Sequence, residues 1–293
     1  MNENEITMVQ HTHNKKEVAW VTKTSGEREP FSFEKLRRSL VRSGADDATA
    51  NQVIAHITPE LRDGMKTSAI YKHAFSILKK KYYPVAVRYS LRQAVMQLGP
   101  SGFPFEKFVA ELLKRKGYRA QTGVILSGFC VSHEVDILME KDARHIFVEC
   151  KFHNQQAVKS DIKTALYVHA RFLDLKKRHD TNKEATPTIH EGWLITNTKL
   201  TGDAIAYAQC AGLTVIGWDY PEHNNLQDLI LETGIHPLTF LSSLSTREKN
   251  TLLEQGIVMC RTITENETPL RAMGFSKERI EKITNEARKV CPM

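Results

Sequence analysis

The chain has 293 residues and a formal net charge of +7, with 41% hydrophobic and 26% charged residues. These proportions are those of an ordinary globular protein, and the length suffices for two or three domains. No apolar run is long enough to span a bilayer and the first residues form no apolar signal core, so we expect no membrane segment. The positive balance favours polyanionic partners, although mild basicity also serves solubility.

The cysteines are scattered, and none belongs to a CxxC pair or a Cys/His cluster of the kind that binds zinc. They are Cys130, Cys150, Cys210, Cys260 and Cys291. Since their number is odd, a complete disulfide framework is excluded, and we expect reduced, partly buried thiols in a cytoplasmic protein.

The first third of the chain predicts a polar, disordered leader over 1–16, a β-hairpin and then helices. A strand over 18–23 is followed by a polar turn at Gly26, and Ser32 is placed to cap the first helix. Apolar periodicity and capping residues place three further helices at about 47–57, 67–81 and 84–98.

Several short runs in this part carry a family signature. They are Val21-Thr22-Lys23, Gly26, Glu29-Pro30-Phe31-Ser32-Phe33-Glu34-Lys35-Leu36 and Val87-Arg88-Tyr89. With the order of hairpin and helices, they make residues 17–98 resemble the ATP-cone, a nucleotide-binding regulatory domain of ribonucleotide reductases and their repressor. The resemblance implies ATP or dATP as a ligand, bound through Lys23, Arg28, Phe33, Lys35, Leu36 and Arg88.

Elementary electrostatics is compatible with that implication, because a helix N-terminus with lysines beside it attracts anions. The residues alone leave another interpretation open, in which Lys35, Arg37 and Arg38 are the solvated face of an amphipathic helix. No GxxxxGK[ST] motif occurs in the chain. We therefore expect a nucleotide sensor and not an ATPase.

The middle of the chain predicts an open mixed sheet with helices on both faces. A Gly-Pro-Ser-Gly linker at 99–102 precedes it, and Pro104 opens the first helix. The remaining elements are a strand over 118–126, strands over 133–139 and 145–152 joined by a polar turn at 140–144, a helix over 158–177, a strand over 192–197, a helix over 202–211 and a strand over 213–219.

Three charged residues stand out on the two central strands. Asp136 lies among apolar neighbours, a poor place for a carboxylate that has no partner or metal. Glu149 and Lys151 share one strand face because side chains alternate with a period of two. Pairing of the strands can bring the three together, and two carboxylates with a lysine can hold Mg²⁺ and activate a water molecule.

This pattern, Asp136 followed by Glu149-Cys150-Lys151, resembles the PD-(D/E)xK nucleases and most closely their Mrr-like restriction endonuclease branch, although Val135 replaces the proline before the aspartate. The resemblance implies a nuclease domain over 99–222 with Mg²⁺ or Mn²⁺ held by Asp136, Glu149 and the Cys150 carbonyl. It also implies that Lys151 positions or activates the attacking water.

The same resemblance assigns roles to residues on two helices. Glu106 on the first helix would assist catalysis, either as a metal ligand or by holding a water molecule. Lys159 and Lys163 on the following helix would touch phosphate. From the residues alone, Glu106 also suits an exposed first turn, and the two lysines also suit a solvated basic helix face.

The last stretch, 236–293, predicts helices at 237–242, 246–255, 267–273 and 276–290. It contains two similar units, in which a helix ends in a glycine, Gly256 or Gly274, followed by an apolar residue and another helix. The pair resembles a tandem helix-hairpin-helix like the C-terminal domain of the RNA polymerase alpha subunit, and it implies backbone contacts to phosphate at both glycines. A small helical bundle for self-association stays open.

The fold class predicted is therefore multidomain, mixed α+β and α/β: an ATP-cone, a restriction-endonuclease-like sheet and an all-α helix-hairpin-helix-like bundle. The function predicted is a Mg²⁺-dependent DNA endonuclease regulated by ATP or dATP, a homo-oligomer acting on duplex DNA, with a role in defence against foreign DNA as a hypothesis. Two other hypotheses are a catalytically silent, nucleotide-responsive DNA-binding regulator and a buried ion pair without metal. The sequence leaves open whether the substrate is DNA or RNA and whether nucleotide activates or inhibits the enzyme.

Overall fold

A computed structural model of the chain describes residues 19–23, 26–181 and 187–290. The predicted leader, 1–16, lies outside the described residues. The chain divides into two compact units, Met1–Ala86 and Val87–Met293. Within the described residues, no helix is both long and apolar enough to cross a membrane.

The N-terminal unit combines a small sheet with helices. Its elements are β1 (Trp20–Thr22), β2 (Arg28–Pro30), α1 (Phe33–Arg42), α2 (Asp47–Ile57), β3 (Met65–Lys66) and α3 (Thr67–Lys81). The predicted hairpin pairs β1 with β2 antiparallel, and β3 joins β1 in parallel on its other side. The Ser32 hydroxyl accepts a hydrogen bond from the Lys35 N–H at 3.2 Å, so α1 starts where the capping residue predicts.

The division between the units falls inside α4 (Tyr83–Met96), and a mixed five-stranded sheet follows. Its elements are α5 (Phe103–Arg115), β4 (Arg119–Ser127), β5 (Ser132–Lys141), β6 (Arg144–Lys151), α6 (Ile162–Thr181), β7 (Ile189–Thr196), α7 (Gly202–Ala211) and β8 (Thr214–Ile216). The strand order is β4-β5-β6-β7-β8, with the first three antiparallel and the last three parallel.

Apolar side chains of α6 and α7 pack against the sheet and form the core. Among them, Val168, Phe172 and Ala204 lie in one buried cluster with Phe147 of β6 and Leu194 of β7. Helix α5 packs against β4, β5 and β6. The core thus fixes β5 and β6, the strands that carry the predicted trio, at the centre of the sheet.

Two boundaries differ from the sequence prediction. The turn between β5 and β6 has only two residues, Asp142 and Ala143, both with positive φ (52° and 60°), which lets both strands extend into the predicted polar loop. The helix predicted from 158 begins at Ile162, because the Asp161 carboxylate accepts a hydrogen bond from the Thr164 N–H at 3.2 Å and caps it there. Lys159 therefore precedes the helix and lies in a loop.

The C-terminal part of the second unit is helical as predicted. Its helices are α8 (Leu226–Thr233), α9 (Thr246–Glu254), α10 (Cys260–Glu265), α11 (Thr268–Ala272) and α12 (Lys277–Val290). The six-residue α10 was not predicted, since its two buried residues, Cys260 and Ile263, are too few to reveal a helical period. Each of the two repeat glycines comes just after the end of a helix and has a positive φ, 78° for Gly256 and 77° for Gly274.

Candidate active site

The pairing of β5 with β6 brings the predicted acidic residues together. The last regular pair is Ile137 opposite Val148, and one further step along both strands leads to Asp136 and Glu149. There the Cys150 N–H donates to Asp136 Oδ2 at 2.7 Å, so this carboxylate replaces the next backbone acceptor of the ladder. The strands thus separate at the point where the carboxylates lie.

Each carboxylate is held through one oxygen only. Asp136 uses Oδ2 for the Cys150 N–H, and Glu149 uses Oε2 for the Arg171 guanidinium. Within the part of the chain that the structure describes, Asp136 Oδ1 and Glu149 Oε1 accept no hydrogen bond from protein. Two anchored carboxylates with a free oxygen each are a suitable start for a cation site.

Burial and crowding of negative charge perturb these acids. Burial raises the pKa of Glu149 to about 7, helped by the charge of Asp136 and opposed by Arg171. Burial likewise raises the pKa of Glu106 to about 7, and the charges of Asp136 and Glu134 act in the same direction. The pKa of Asp136 is also raised by burial. Half-buried acids that raise one another's pKa favour a cation in their midst.

The donor atoms fit a hard divalent cation. In an extended strand the N–H and C=O of one residue point to the same side, so the Cys150 carbonyl lies on the Asp136 side of β6. Among the described residues no group of three or more His, Cys, Asp or Glu side chains converges on a common point. The site therefore provides two carboxylates and one carbonyl, a set that suits Mg²⁺ because this ion keeps several waters.

Lys151 ends β6 and is exposed, next to Thr196 of the parallel strand β7. No carboxylate of the described residues lies within ion-pair distance of its ammonium group. Burial lowers the pKa of His153, and the charge of Lys151 acts in the same direction. The His153 ring contacts the Ser160 hydroxyl at 2.9 Å. Lys151 is thus free to contact a water molecule or a phosphate, whereas His153 is engaged in a buried polar network.

Arg171 contacts the residues of this candidate site. The nuclease resemblance implies that side chains of this helix, Arg171 among them, support the site or touch phosphate, but only Lys159 and Lys163 were predicted as contacts. Its buried guanidinium donates to the Glu149 carboxylate and to the Glu134 carbonyl. A signal existed in the sequence, because Arg171 lies on the apolar stripe of α6 with Val168 and Leu175. An arginine at such a position needs a buried partner.

Lys159 and Lys163 are both exposed, and neither forms an ion pair with the described residues. They occupy the loop and first turn that lead into α6, the helix that carries Arg171. Their charges are therefore available to phosphate, although the structure does not place them on one helix face as the sequence predicts.

The basic residues predicted for the N-terminal unit are already paired with acids. Glu29 Oε2 lies 2.9 Å from Lys23 Nζ and 3.0 Å from Lys35 Nζ. Arg28 lies 2.7 Å from Asp63. A phosphate at this cluster would have to compete with carboxylates of the protein itself.

The remaining predicted nucleotide contacts differ in exposure. Phe33 is 42% exposed and packs edge-on against Phe31, with ring centroids 4.9 Å apart. Leu36 is only 7% exposed, and its side chain forms part of the buried stripe of α1. A nucleotide contact at Leu36 stays a prediction. Arg88 is exposed on α4 and lies beyond the division after Ala86.

The two repeat glycines do not offer free backbone donors. The Gly256 N–H donates to the Leu253 carbonyl at 2.9 Å and the Gly274 N–H to the Arg271 carbonyl at 2.9 Å, closing α9 and α11. A methyl group at Gly256 would lie 2.6 Å from Lys107 Nζ, so this turn is covered by α5, whereas the turn at Gly274 is open. Both N–H groups are thus engaged within their own turns, and a phosphate contact at these glycines stays a prediction.

Comparisons with known proteins agree with the predicted order of domains. An ATP cone domain model matches residues 20–95, a restriction endonuclease model residues 99–226 and an AF1548-like C-terminal domain model residues 236–291. These matches confirm the predicted ATP-cone and Mrr-like nuclease domain and the separate C-terminal domain.

Two relatives align with most of their own length. An uncharacterized protein of Archaeoglobus fulgidus is 36% identical over 183 residues, which cover 62% of this chain and 99% of that protein. The crystal structure of a protein of unknown function, AF1548, superposes with a TM-score of 0.54 at 33% identity and covers 65% of this chain and 98% of that chain.

Proposed function

The chain belongs to the family of these AF1548-like proteins, and from that premise we propose that it is a divalent-metal-dependent deoxyribonuclease regulated by ATP or dATP. One observation carries the proposal: Asp136 and Glu149 lie together where β5 and β6 separate, and one oxygen of each carboxylate accepts no hydrogen bond from the residues that the structure describes.

The proposed chemistry is hydrolysis of a phosphodiester, in which a water oxygen bonds to phosphorus and the bond to the leaving sugar oxygen breaks. Asp136, Glu149 and the Cys150 carbonyl would hold Mg²⁺ or Mn²⁺, which when bound offsets the negative charge that develops on the phosphate. Lys151 orients the attacking water, and Glu106, whose pKa of about 7 suits proton exchange near neutral pH, holds a water or its proton.

Duplex DNA is the substrate proposed, with Lys159 and Lys163 on its phosphates. We further propose a homo-oligomer, since cutting both strands of a duplex requires two sites. Among the described residues, Cys130, Cys150, Cys210 and Cys260 form no disulfide, which suits a cytoplasmic protein. A role in defence against foreign DNA is part of the proposal, and unchanged phage and plasmid uptake after deletion of the gene would remove it.

Contacts of α4 support regulation by nucleotide. The ATP cone match ends at residue 95, within this helix. Just before and after that point, Gln93 lies 3.5 Å from Gln156 and Met96 accepts a hydrogen bond from Asn197 at 3.2 Å. Gln156 and Asn197 follow the ends of β6 and β7. The end of the nucleotide-binding match thus packs on the segments that leave the strand of Lys151 and its neighbour.

The test is cleavage of plasmid, single-stranded DNA and RNA with Mg²⁺ or Mn²⁺, without nucleotide, with ATP and with dATP, with Lys151→Ala in parallel. Cutting of DNA that is lost in the variant and altered by nucleotide is the expected result. Inert wild-type protein under every condition would contradict the proposal.

A DNA-binding regulator without catalysis is the second candidate, and one contact favours it: Arg171 already neutralises Glu149 without a metal. For that candidate the same assay gives no cleavage by wild type or variant, while a gel shift with DNA persists and responds to ATP or dATP.

A further inference from the structure

Arg171 occupies a position that links the two strands of the candidate metal site. Its side chain is 10% exposed, on the buried stripe of α6. One guanidinium nitrogen donates to Glu149 Oε2 on β6 and another to the Glu134 carbonyl on β5. The guanidinium carbon also lies 5.3 Å from the ring centroids of both Phe147 and Tyr167, so aromatic rings restrain it in addition.

This link stands where backbone pairing has ended. The regular β5–β6 ladder stops at Ile137 and Val148, and beyond it the Asp136–Cys150 hydrogen bond and the Arg171 fork connect the strands. The position of the Glu149 carboxylate relative to Asp136 therefore depends on the guanidinium.

The fork leaves the site open to a cation. Arg171 contacts only Oε2 of Glu149, and Oε1 accepts no hydrogen bond within the described ranges. Its second donor goes to a backbone carbonyl, so Asp136 keeps its own free oxygen. An arginine that gripped Glu149 through both oxygens would have blocked it as a ligand.

We infer that Arg171 is a positioning residue of the metal site: it holds Glu149 beside Asp136 in a ligating orientation before a divalent cation arrives. The inference rests on the proposed function. Only a planar fork can serve both acceptors at once, because the ammonium of lysine is a compact point charge on a flexible stem. A purely structural ion pair would stabilise the fold without setting the metal affinity.

The test is Mn²⁺ binding by isothermal titration calorimetry to the full-length protein without DNA, comparing wild type with Arg171→Lys. The variant keeps the positive charge, and we expect about tenfold weaker Mn²⁺ binding, as is usual when the residue that orients a metal ligand is lost. The matched control is Arg119→Lys, which alters an arginine of β4 that is paired with Glu140 of β5, away from the site, and should leave the affinity unchanged.

Thermal unfolding in EDTA separates the two roles of Arg171. A lower melting temperature with an unchanged Mn²⁺ dissociation constant would assign it a structural role and overturn the inference. If Arg171→Lys does not fold, Tyr167→Ala replaces it, since Tyr167 is 57% exposed and restrains the guanidinium from its open side. About two- to threefold weaker Mn²⁺ binding is then expected, and unchanged binding overturns the inference.

The proposed function fails in a different way. If the wild-type protein binds no Mn²⁺ at all, the proposed metal site is contradicted, and the proposed role of Arg171 with it. If wild type and Arg171→Lys bind Mn²⁺ with equal affinity, only the inference that Arg171 positions Glu149 is contradicted.

Discussion

The two charged clusters of this molecule are built on opposite principles. In the N-terminal unit, Lys23 and Lys35 are both paired with Glu29, and Lys23 is also paired with Glu27, on an accessible surface. In the nuclease-like sheet, the half-buried acids outnumber the basic groups that reach them, and burial raises the pKa of Glu106 and Glu149 to about 7. The first cluster is balanced without a ligand, and the second has an excess of negative charge.

The two clusters therefore gain the free energy of ligand binding in different ways. A cation entering the sheet site relieves repulsion among acids in a poorly solvated place, where charge interactions are strong. A nucleotide at the N-terminal cluster exchanges one set of exposed ion pairs for another, and exposed pairs contribute little. Removal of charge should therefore have large effects in the sheet and small effects in the N-terminal unit.

The largest effect is expected from the sheet trio. Asp136→Asn should lower single-turnover plasmid cleavage by about a thousandfold, and Lys151→Ala by about a hundred- to a thousandfold, because each removes a group that acts on the reacting phosphate or water. Asp142→Asn, in the turn of the same hairpin, is the control and should cleave as wild type does. Equal cleavage by Asp136→Asn and Asp142→Asn would contradict the assignment.

A pH dependence follows from the raised pKa values of Glu106 and Glu149. Below about pH 4.5 both carboxyl groups are protonated in the folded and in the unfolded protein. Between pH 4.5 and about 7 the two groups are ionised in the unfolded protein but stay protonated in the folded one. The metal-free protein should therefore lose stability as the pH rises from about 4.5 to about 7, and thermal unfolding across this range measures the loss.

Mn²⁺ should oppose this loss. Below pH 7 the ion must displace protons, so its affinity should tighten on going from pH 6 to pH 8, by up to about tenfold per pH unit for each proton displaced. Calorimetry in two buffers of different ionisation enthalpy measures the protons released. An affinity that does not vary over this range would show that the acids are ionised without a metal.

A smaller effect is expected at the N-terminal cluster. Glu29→Gln removes the acid that both lysines share, so ATP should bind about two- to fivefold more tightly, within the range of exposed ion pairs. Asp47→Asn, which breaks the 2.9 Å pair with Arg37 in the same unit, is the control and should not change ATP affinity. Weaker ATP binding by Glu29→Gln would mean that the acid orients the lysines instead of competing with phosphate.

The smallest effect is expected from single phosphate contacts. Lys163→Ala should weaken DNA binding uniformly across sequences and lower the slope of log affinity against log salt by about one. Lys72→Ala, at another exposed lysine in the N-terminal unit, should leave the slope unchanged. Equal salt slopes for wild type and Lys163→Ala would show that Lys163 does not contact DNA phosphate.

The parts predictable from sequence are those set by local pattern. Period-two alternation predicts that Glu149 and Lys151 share one face of β6, and the apolar period predicts the bounds of α2 and α3. The buried surroundings of Asp136 were also visible, because its neighbours along the strand are apolar.

The rest depends on contacts between distant residues. Arg171 reaches Glu149 across 22 positions of the chain, and nothing local states which acid a buried arginine will meet. The pairing of Lys35 with Glu29 and the cover of Gly256 by Lys107 likewise arise only when elements pack. Such contacts decide whether a charged side chain is available to a ligand, so sequence alone named the site but not its charge balance.

The most direct test of this account is a Mn²⁺ titration of wild type and Asp136→Asn, followed by calorimetry at pH 7.5 without DNA or nucleotide. We predict saturable binding to wild type and none to the variant, which folds with an unchanged circular dichroism spectrum. Binding of equal strength to both proteins, or to neither, would contradict the claim that the acids of the sheet form a cation site.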